Sequence, residues 1–139
     1  MTDSIVIRPP RSTDQAYVTN SWVSCIVKDR KYRPQLANVI VDRLLDDPRT
    51  KLLIACEPQD SDKIVGWIAF ASMPGTGVLE FVLVRHQWRN QGMAAHMMRA
   101  ASLLGIPRIV HLFETADSRY IPKHESTTIV MMAPQEFLP

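Results

Sequence analysis

Residues 78–104 constrain the fold of this chain more than any other stretch. A near-continuous apolar run over 78–84 precedes a polar segment over 85–92 and an amphipathic pattern over 93–104. Short apolar runs are typical of a buried strand, and apolar residues at three- and four-residue spacing are typical of a helix. A strand that leads through a tight loop into a helix presents backbone N–H groups and the positive end of the helix dipole to an anion. Gly92 lacks a Cβ atom, so a ligand can approach the backbone closely there. The stretch therefore predicts a phosphate-binding junction.

Length and composition narrow the class of protein. The 139 residues suffice for one sizeable core, so residues 1–139 are expected to form a single domain. A formal net charge of +2 is too small to favour nucleic acid, and no apolar run approaches the ~20 residues of a membrane span. The first residues lack the pattern of a signal peptide, and Cys25 and Cys56 are expected to be free thiols. We therefore predict a cytoplasmic protein without nucleic-acid or membrane partners.

Hydrophobic periodicity predicts six strands and three helices. The strands cover 5–8, 51–56, 64–71, 78–84, 108–113 and 127–132, and the helices begin near Thr13, at Pro34 and at Met93. Short turns join strands two to four, which favours an antiparallel meander, and Gly66 indicates a bulge or a close backbone approach. The helix between strands four and five implies that these two strands are parallel, and Gly105 and Pro107 fit its end. Residues 114–126 are polar and unassigned, and 134–139 are predicted to be a tail.

The polar loop also carries a known motif. Its residues 89–94, Arg-Asn-Gln-Gly-Met-Ala, match the (Q/R)-x-x-G-x-(G/A) signature of the GNAT N-acetyltransferase superfamily. The order of elements, β–α–α–β–β–β–α–β, resembles that family over residues 4–113. The resemblance implies an α/β (α+β), GNAT-like acyl-CoA N-acyltransferase fold, with a mixed central sheet flanked by helices. After strand five the chain departs from the family, because it has length for a turn and one strand instead of a helix and two strands.

The resemblance implies a cofactor and a reaction. In the family this loop wraps the pyrophosphate of acetyl-CoA, and the preceding strand splays open along the pantetheine arm. By resemblance, acetyl-CoA is the co-substrate, and its binding residues are Val82, Leu83, Val84, Arg89, Asn90, Gln91, Gly92, Met93 and Ala94. A primary amine would attack the thioester directly, and a backbone N–H near Leu83 would stabilise the charge on the thioester oxygen. The amine itself, a protein lysine, a protein N-terminus or a small amine, leaves no spacing signature.

Glu80 is the polar residue inside the apolar run of the fourth strand. Alternation places it on the same face as Val82 and Val84, and partial burial would raise its pKa towards neutrality. A carboxylate with such a pKa suits the removal of a proton from an ammonium group. The resemblance implies the role of general base, because similar acetyltransferases carry a Glu at this point of the strand. The alternatives are a Glu that points to solvent and a Glu paired with an Arg such as Arg85.

Tyr120 is the candidate general acid, again by resemblance, because the family reprotonates the CoA thiolate with a Tyr shortly after strand five. Pro122 argues against a long helix there, and the alternative is a surface Tyr that packs beside the site.

The four His residues share no metal-ligand spacing, so no metal site is predicted.

A different class of function stays open. The fold would also suit a catalytically weak or inactive module that binds acyl-CoA or a partner protein. The last predicted strand would present an apolar sheet edge, which favours a homodimer whose C-terminal strands cover one another. If 134–139 is a tail, deletion of the residues after Ala133 should matter little.

Overall fold

A mixed β-sheet with helices on both faces forms the core of the chain. The computed structural model describes residues 5–30, 32–103, 108–113 and 128–138. The strands are β1 (Val6–Arg8), β2 (Lys51–Glu57), β3 (Asp60–Met73), β4 (Thr76–Val84), β5 (Arg108–His111) and β6 (Thr128–Met131). The helices are α1 (Gln15–Arg30), α2 (Pro34–Asp46), α3 (Met93–Ala100) and α4 (Pro134–Phe137), with 3₁₀ turns at Ser12–Asp14 and His86–Trp88. The predicted fold class and element order are confirmed.

The strand order in the sheet follows the order along the chain, from β1 to β6. Strands β1 to β4 pair as antiparallel neighbours, whereas β4 and β5, and β5 and β6, pair in parallel. The predicted antiparallel meander and the predicted parallel pairing of strands four and five are confirmed. Gly66 lies at a close approach of β3 and β4, because a Cβ atom there would lie 2.5 Å from the carbonyl oxygen of Leu83.

In the described part of the chain, strands β4 and β5 pair over the first part of β4. Their register runs from Gly77 opposite Ile109 to Leu79 opposite His111, and the N–H of Leu112 donates to Leu79 O at 3.0 Å. Beyond Leu79, β4 continues to Val84, past its last described pairing with β5. The register between the described residues of the two strands therefore covers the first part of β4.

Each face of the sheet carries one apolar cluster. Under α1 and α2, the rings of Trp22, Trp67 and Phe81 are all buried, with centroids 5.3 to 5.6 Å apart. On the opposite face, α3 packs Met93 and Met97 against β3 and β4. Since the two clusters hold β4 from both sides, the site that follows β4 is built on a rigid strand.

The end of α3 differs from the prediction. The α-helix stops at Ala100, and Ser102 adopts the left-handed conformation with φ of 59°. The N–H of Ser102 bonds to Arg99 O and that of Leu103 to Met98 O, which is the hydrogen-bond pattern of a Schellman cap. The predicted end at residue 104 is therefore wrong by one turn. Gly105 and Pro107, which were expected to end the helix, lie outside the described residues.

The predicted C-terminal tail is also wrong in part. Residues Pro134–Phe137 form the short helix α4, and the side chain of Phe137 is buried in the α1–α2 cluster. The Nη2 of Arg49 donates to Phe137 O at 2.7 Å, and the guanidinium lies 3.9 Å from the centroid of the Phe137 ring. These contacts contradict the expectation that deletion after Ala133 should matter little.

Candidate functional site

The junction between β4 and α3 has the backbone shape that the sequence predicts. Gly92 is the N-cap of α3 with φ of 75°, and Asn90 also has a positive φ, 63°. The first hydrogen bond inside the helix runs from His96 N to Gly92 O. The N–H groups of the residues between Gly92 and His96 thus have no carbonyl partner within the helix. Such groups donate hydrogen bonds to capping side chains, water or anions.

A pocket of about 230 Å³ opens at this helix start. Its walls are formed by Val84, Arg89, Asn90, Gly92, Met93, Ala94 and Ala95. The Nε of Arg89 donates to Val84 O at 2.9 Å, which ties the loop to the end of β4 and holds a positive charge beside the helix dipole. Six of the nine residues predicted to bind the cofactor lie in this wall. The remaining three, Val82, Leu83 and Gln91, do not line it.

The backbone of β4 also carries hydrogen-bonding groups that point towards the side of β5. Arg85 N donates to Val65 O at 2.9 Å, so Arg85 directs its N–H towards β3. Because this direction alternates along a strand, Leu83, opposite Trp67, also bonds towards β3, whereas Val82 directs its N–H and C=O towards the side of β5. In this part of β4, the N–H that points towards the side of β5 belongs to Val82, the neighbour of Leu83, and the role predicted for an N–H near Leu83 stays a prediction.

Glu80 is fully buried, with an exposed fraction of 0%. The hydroxyl group of Thr50 lies 2.6 Å from its Oε2 and 2.9 Å from its Oε1. Burial raises the pKa of Glu80 to about 7, and the hydrogen bond with Thr50 opposes part of that rise. A solvent-facing Glu80 is thereby excluded. The alternative pairing with Arg85 is also wrong, because Arg85 donates to Ile64 O and lies over the ring of Tyr17.

A β-bulge changes the face on which Glu80 lies. Ala69 pairs with Phe81, but the next residue, Phe70, pairs with Leu79, so Glu80 is the extra residue of β4. Leu79 and Val82 consequently pack in the same cluster, which unbroken alternation would forbid.

The position of Thr50 identifies that face. Lys51 pairs with Phe70, whose side chain packs on the α3 side, so Thr50, one residue earlier, points to the α1–α2 side. Glu80 meets Thr50 there. The prediction that Glu80 shares a face with Val82 and Val84 is therefore wrong, because alternation cannot register an inserted residue.

Two further charges belong to the connection between α2 and β2. Asp47 is buried and forms an ion pair with Arg49 at 2.7 Å, and the hydrogen bond from Arg49 holds the pKa of Asp47 below its usual range. The charge of Asp47 raises the pKa of Glu80 and that of Arg49 lowers it. No local sequence pattern indicates this arrangement, since Thr50, in the same connection, is 30 positions from Glu80 in sequence.

Other predicted features fall outside this arrangement. Tyr120 lies outside the described residues. Among the residues whose placement is described, no group of three His, Cys, Asp or Glu side chains is arranged to hold a metal ion. In that same part of the chain, no helix combines the length and the apolar character of a membrane span.

Comparisons with known proteins agree with the geometry. The model of the acetyltransferase (GNAT) family matches residues 16–117. A GNAT family acetyltransferase from Brucella melitensis, solved in complex with acetyl-CoA, is 25% identical, with 85% of this chain and 81% of that chain covered and a TM-score of 0.57. A ribosomal-protein-alanine N-acetyltransferase from Brucella melitensis biovar Abortus 2308 is 14% identical, with 96% and 87% covered and a TM-score of 0.55, which shows the fold alone. No curated protein matches the chain significantly in sequence.

Proposed function

Because the chain belongs to the GNAT acetyltransferase family, we propose that it transfers the acetyl group of acetyl-CoA to the nitrogen of a primary amine. The observation that carries this proposal is the pocket at the start of α3, which adjoins the end of β4. In the proposal, as the resemblance to the family implies, β4 and β5 splay apart there and leave a gap. The family and the 25% identical relative solved with acetyl-CoA support the choice of co-substrate.

The pyrophosphate would bind at the first turn of α3. Backbone N–H groups from Met93 to Ala95 point out of the helix start, and the left-handed Gly92 leaves the space that a side chain would fill. Arg89, on the pocket wall, supplies a compensating positive charge. Asn90, Met93 and Ala94 would line the same site. Val82, Leu83 and Val84 would contact the pantetheine arm in the gap, and Gln91 would contact the rim of the loop.

The reaction proceeds by direct attack. The amine nitrogen bonds to the thioester carbon, the negative charge on the carbonyl oxygen is stabilised by Val82 N–H, and the C–S bond then breaks. Glu80 takes the proton that the amine loses, through a water molecule because its carboxyl group is buried. Its raised pKa of about 7 makes it an acceptor near neutral pH. The departing CoA thiolate takes up a proton, for which Tyr120 remains the proposed donor.

A thermal shift measurement tests the cofactor site. Acetyl-CoA at 100 times its Kd should stabilise the native protein by about 2.7 kcal/mol, which corresponds to roughly 5–10 °C in Tm. Gly92→Glu should abolish the shift, because it places bulk and negative charge where the pyrophosphate binds. Gly75→Glu is the matched control, since Gly75 has a similar φ of 68° in the exposed β3–β4 turn. A Cβ atom at position 75 would have no other heavy atom within 4 Å. A shift retained by Gly92→Glu, or absent from the wild type, would contradict the proposed site.

The complete burial of Glu80 favours a second candidate function, an acyl-CoA-binding or partner-binding module with weak or absent turnover. Thiol release from acetyl-CoA distinguishes the two, measured with a lysine peptide, a peptide with a free α-amine and spermidine as acceptors. For an enzyme, turnover should rise as the pH passes about 7, and Glu80→Gln should lower it by ~10²–10⁴-fold without changing acetyl-CoA affinity. Absence of acceptor-dependent thiol release with all three acceptors would leave the binding module, whereas equal and measurable turnover in the wild type and Glu80→Gln would remove only the base role of Glu80.

We also propose a cytoplasmic homodimer in which residues 1–139 of each copy form one domain. The dimer is proposed because β6 is an edge strand among the described strands of the sheet. Edge strands readily pair with a strand of another chain. Light scattering at micromolar concentration tests it, and a monomeric mass would contradict it.

A further inference from the structure

Thr50 stands between α2 and β2, and the proposed reaction has so far given it no role. Its hydroxyl group contacts both carboxyl oxygens of Glu80, at 2.6 and 2.9 Å. Within the described part of the chain, these are the side-chain hydrogen bonds that the Glu80 carboxyl group makes. Because Glu80 is the extra residue of a bulge, cross-strand pairing does not fix its side chain, and the orientation of the carboxyl group depends on Thr50.

A hydroxyl group suits a partner that changes its protonation state. When Glu80 is ionised it only accepts hydrogen bonds, and the hydroxyl group donates to it. When Glu80 is neutral it donates its own proton to the hydroxyl oxygen, while the hydroxyl proton can still reach the second carboxyl oxygen. The two short distances fit both arrangements. A lysine or arginine in this place could only donate hydrogen bonds, so it would stabilise the ionised carboxyl group of Glu80 and not the neutral one.

The other charged groups around Glu80 do not take over this task. Asp47 and Arg49 act on Glu80 through their charges, in opposite directions, and both are engaged elsewhere. Arg49 forms the ion pair with Asp47 and donates to the carbonyl oxygen of Phe137. These two charges therefore form a fixed background, against which Thr50 is the group in direct contact.

We propose that Thr50 is the positioning residue of Glu80, which holds the carboxyl group in one orientation while the proton is gained and lost. The inference rests on the proposed role of Glu80 as the base. It predicts a change in the pH profile rather than a uniform loss of activity. The hydrogen bond with Thr50 lowers the pKa of Glu80, so its removal should raise that pKa further.

The test compares Thr50→Val, which keeps the shape and removes the hydroxyl group, with Thr50→Ser, which keeps the hydroxyl group. Loss of a hydrogen bond to a charged group should move the apparent pKa of turnover upward by about one unit in Thr50→Val. At pH 7 this lowers turnover by about fivefold through protonation alone, and the deficit should shrink towards pH 9. Thr50→Ser should stay within about twofold of the wild type at every pH. In an NMR titration of the Glu80 carboxyl ¹³C resonance, the pH of the midpoint should also move upward in Thr50→Val.

The outcomes separate the inference from the function on which it rests. An intact acetyl-CoA thermal shift in Thr50→Val shows that the variant is folded. If Glu80→Gln is impaired but Thr50→Val keeps the wild-type pH profile and Glu80 titration, the inference on Thr50 is overturned. If Glu80→Gln turns over as fast as the wild type, the base role itself fails. A profile shifted upward in Thr50→Val and restored in Thr50→Ser supports the inference, since a merely structural threonine would not move it.

Discussion

The buried carboxyl group of Glu80 should make the stability of the protein fall as the pH rises. Its pKa is about 7 in the folded protein and 4.5 as an ordinary Glu, so between these pH values the folded state holds a proton that the unfolded state has released. Stability contributed by this group is complete below pH 4.5 and is lost as the pH rises towards 7. At about 1.4 kcal/mol per pH unit, the loss amounts to about 3 kcal/mol at pH 8.

Glu80→Gln isolates this contribution. Gln has nearly the same shape, its amide oxygen can accept from Thr50, and it does not titrate. The difference in unfolding free energy, wild type minus Glu80→Gln, should therefore fall by about 2.5 kcal/mol between pH 5 and pH 8, because part of the full loss has already occurred at pH 5. The carboxylates of Asp14 and Asp47, whose pKa values are lowered by Arg8 and Arg49, are present in both proteins and cancel in the difference.

Urea unfolding at pH 5, 6, 7 and 8 measures the difference directly. Glu136→Gln, at an exposed position of α4, is the control for removal of one carboxyl group at the surface. A wild-type minus Glu80→Gln difference that stays constant within about 0.5 kcal/mol from pH 5 to pH 8 would refute the reasoning. It would mean that water reaches Glu80, or that the connection between α2 and β2 opens, so that the carboxyl group is not buried in solution.

Two further predictions concern the parts that hold the site in place. Phe137→Ala should destabilise the protein by about 3 kcal/mol in urea unfolding, because the ring is buried and packs against the guanidinium of Arg49. The control Gln135→Ala, on the exposed side of α4, should have little effect. Equal stabilities of the two variants would show that α4 does not dock. Gly66→Ala should cost about 1–3 kcal/mol and weaken the acetyl-CoA thermal shift, because its Cβ would lie 2.5 Å from Leu83 O and displace β4. An unchanged shift in a Gly66→Ala protein would separate the packing of β3 from the cofactor site.

The sequence predicts well what local pattern determines. The strand–loop–helix junction depends on an apolar run, one glycine and a helical stripe, all within 27 residues, and the structure places Gly92 as expected. The meander and the parallel pair follow from turn lengths and from a crossover helix. Gly66 was correctly associated with a close backbone approach, since only the missing side chain admits the carbonyl oxygen of Leu83.

Most of the errors have a different physical origin, because they depend on contacts between distant parts of the chain. The end of α3 is a local exception. The bulge at Glu80 is a property of the register between β3 and β4, and no residue in the sequence of β4 predicts it. Thr50 acquires its importance only through a partner 30 residues away. The cap at Ser102 uses a non-glycine residue in the left-handed region. Helix α4 spans one turn, too short for a periodic pattern, and depends on Arg49 and the core.

The bulge is also the point at which the proposed chemistry becomes geometrically consistent. Glu80 directly follows Leu79, the last residue of β4 that pairs with a described residue of β5, so the extra residue lies where the proposed gap would begin. From there the β4 backbone offers Val82 N–H in the plane of the sheet, while the cofactor pocket lies beside α3 and Glu80 faces α1 and α2. In the proposed reaction the thioester in the gap would be held from one face by the cofactor site. The other face would be left to the incoming amine and its base. Unbroken alternation would have placed Glu80 on the cofactor side, where it could not take a proton from an amine arriving opposite. In the proposed reaction, the inserted residue would therefore keep the base and the cofactor site on separate faces of the sheet.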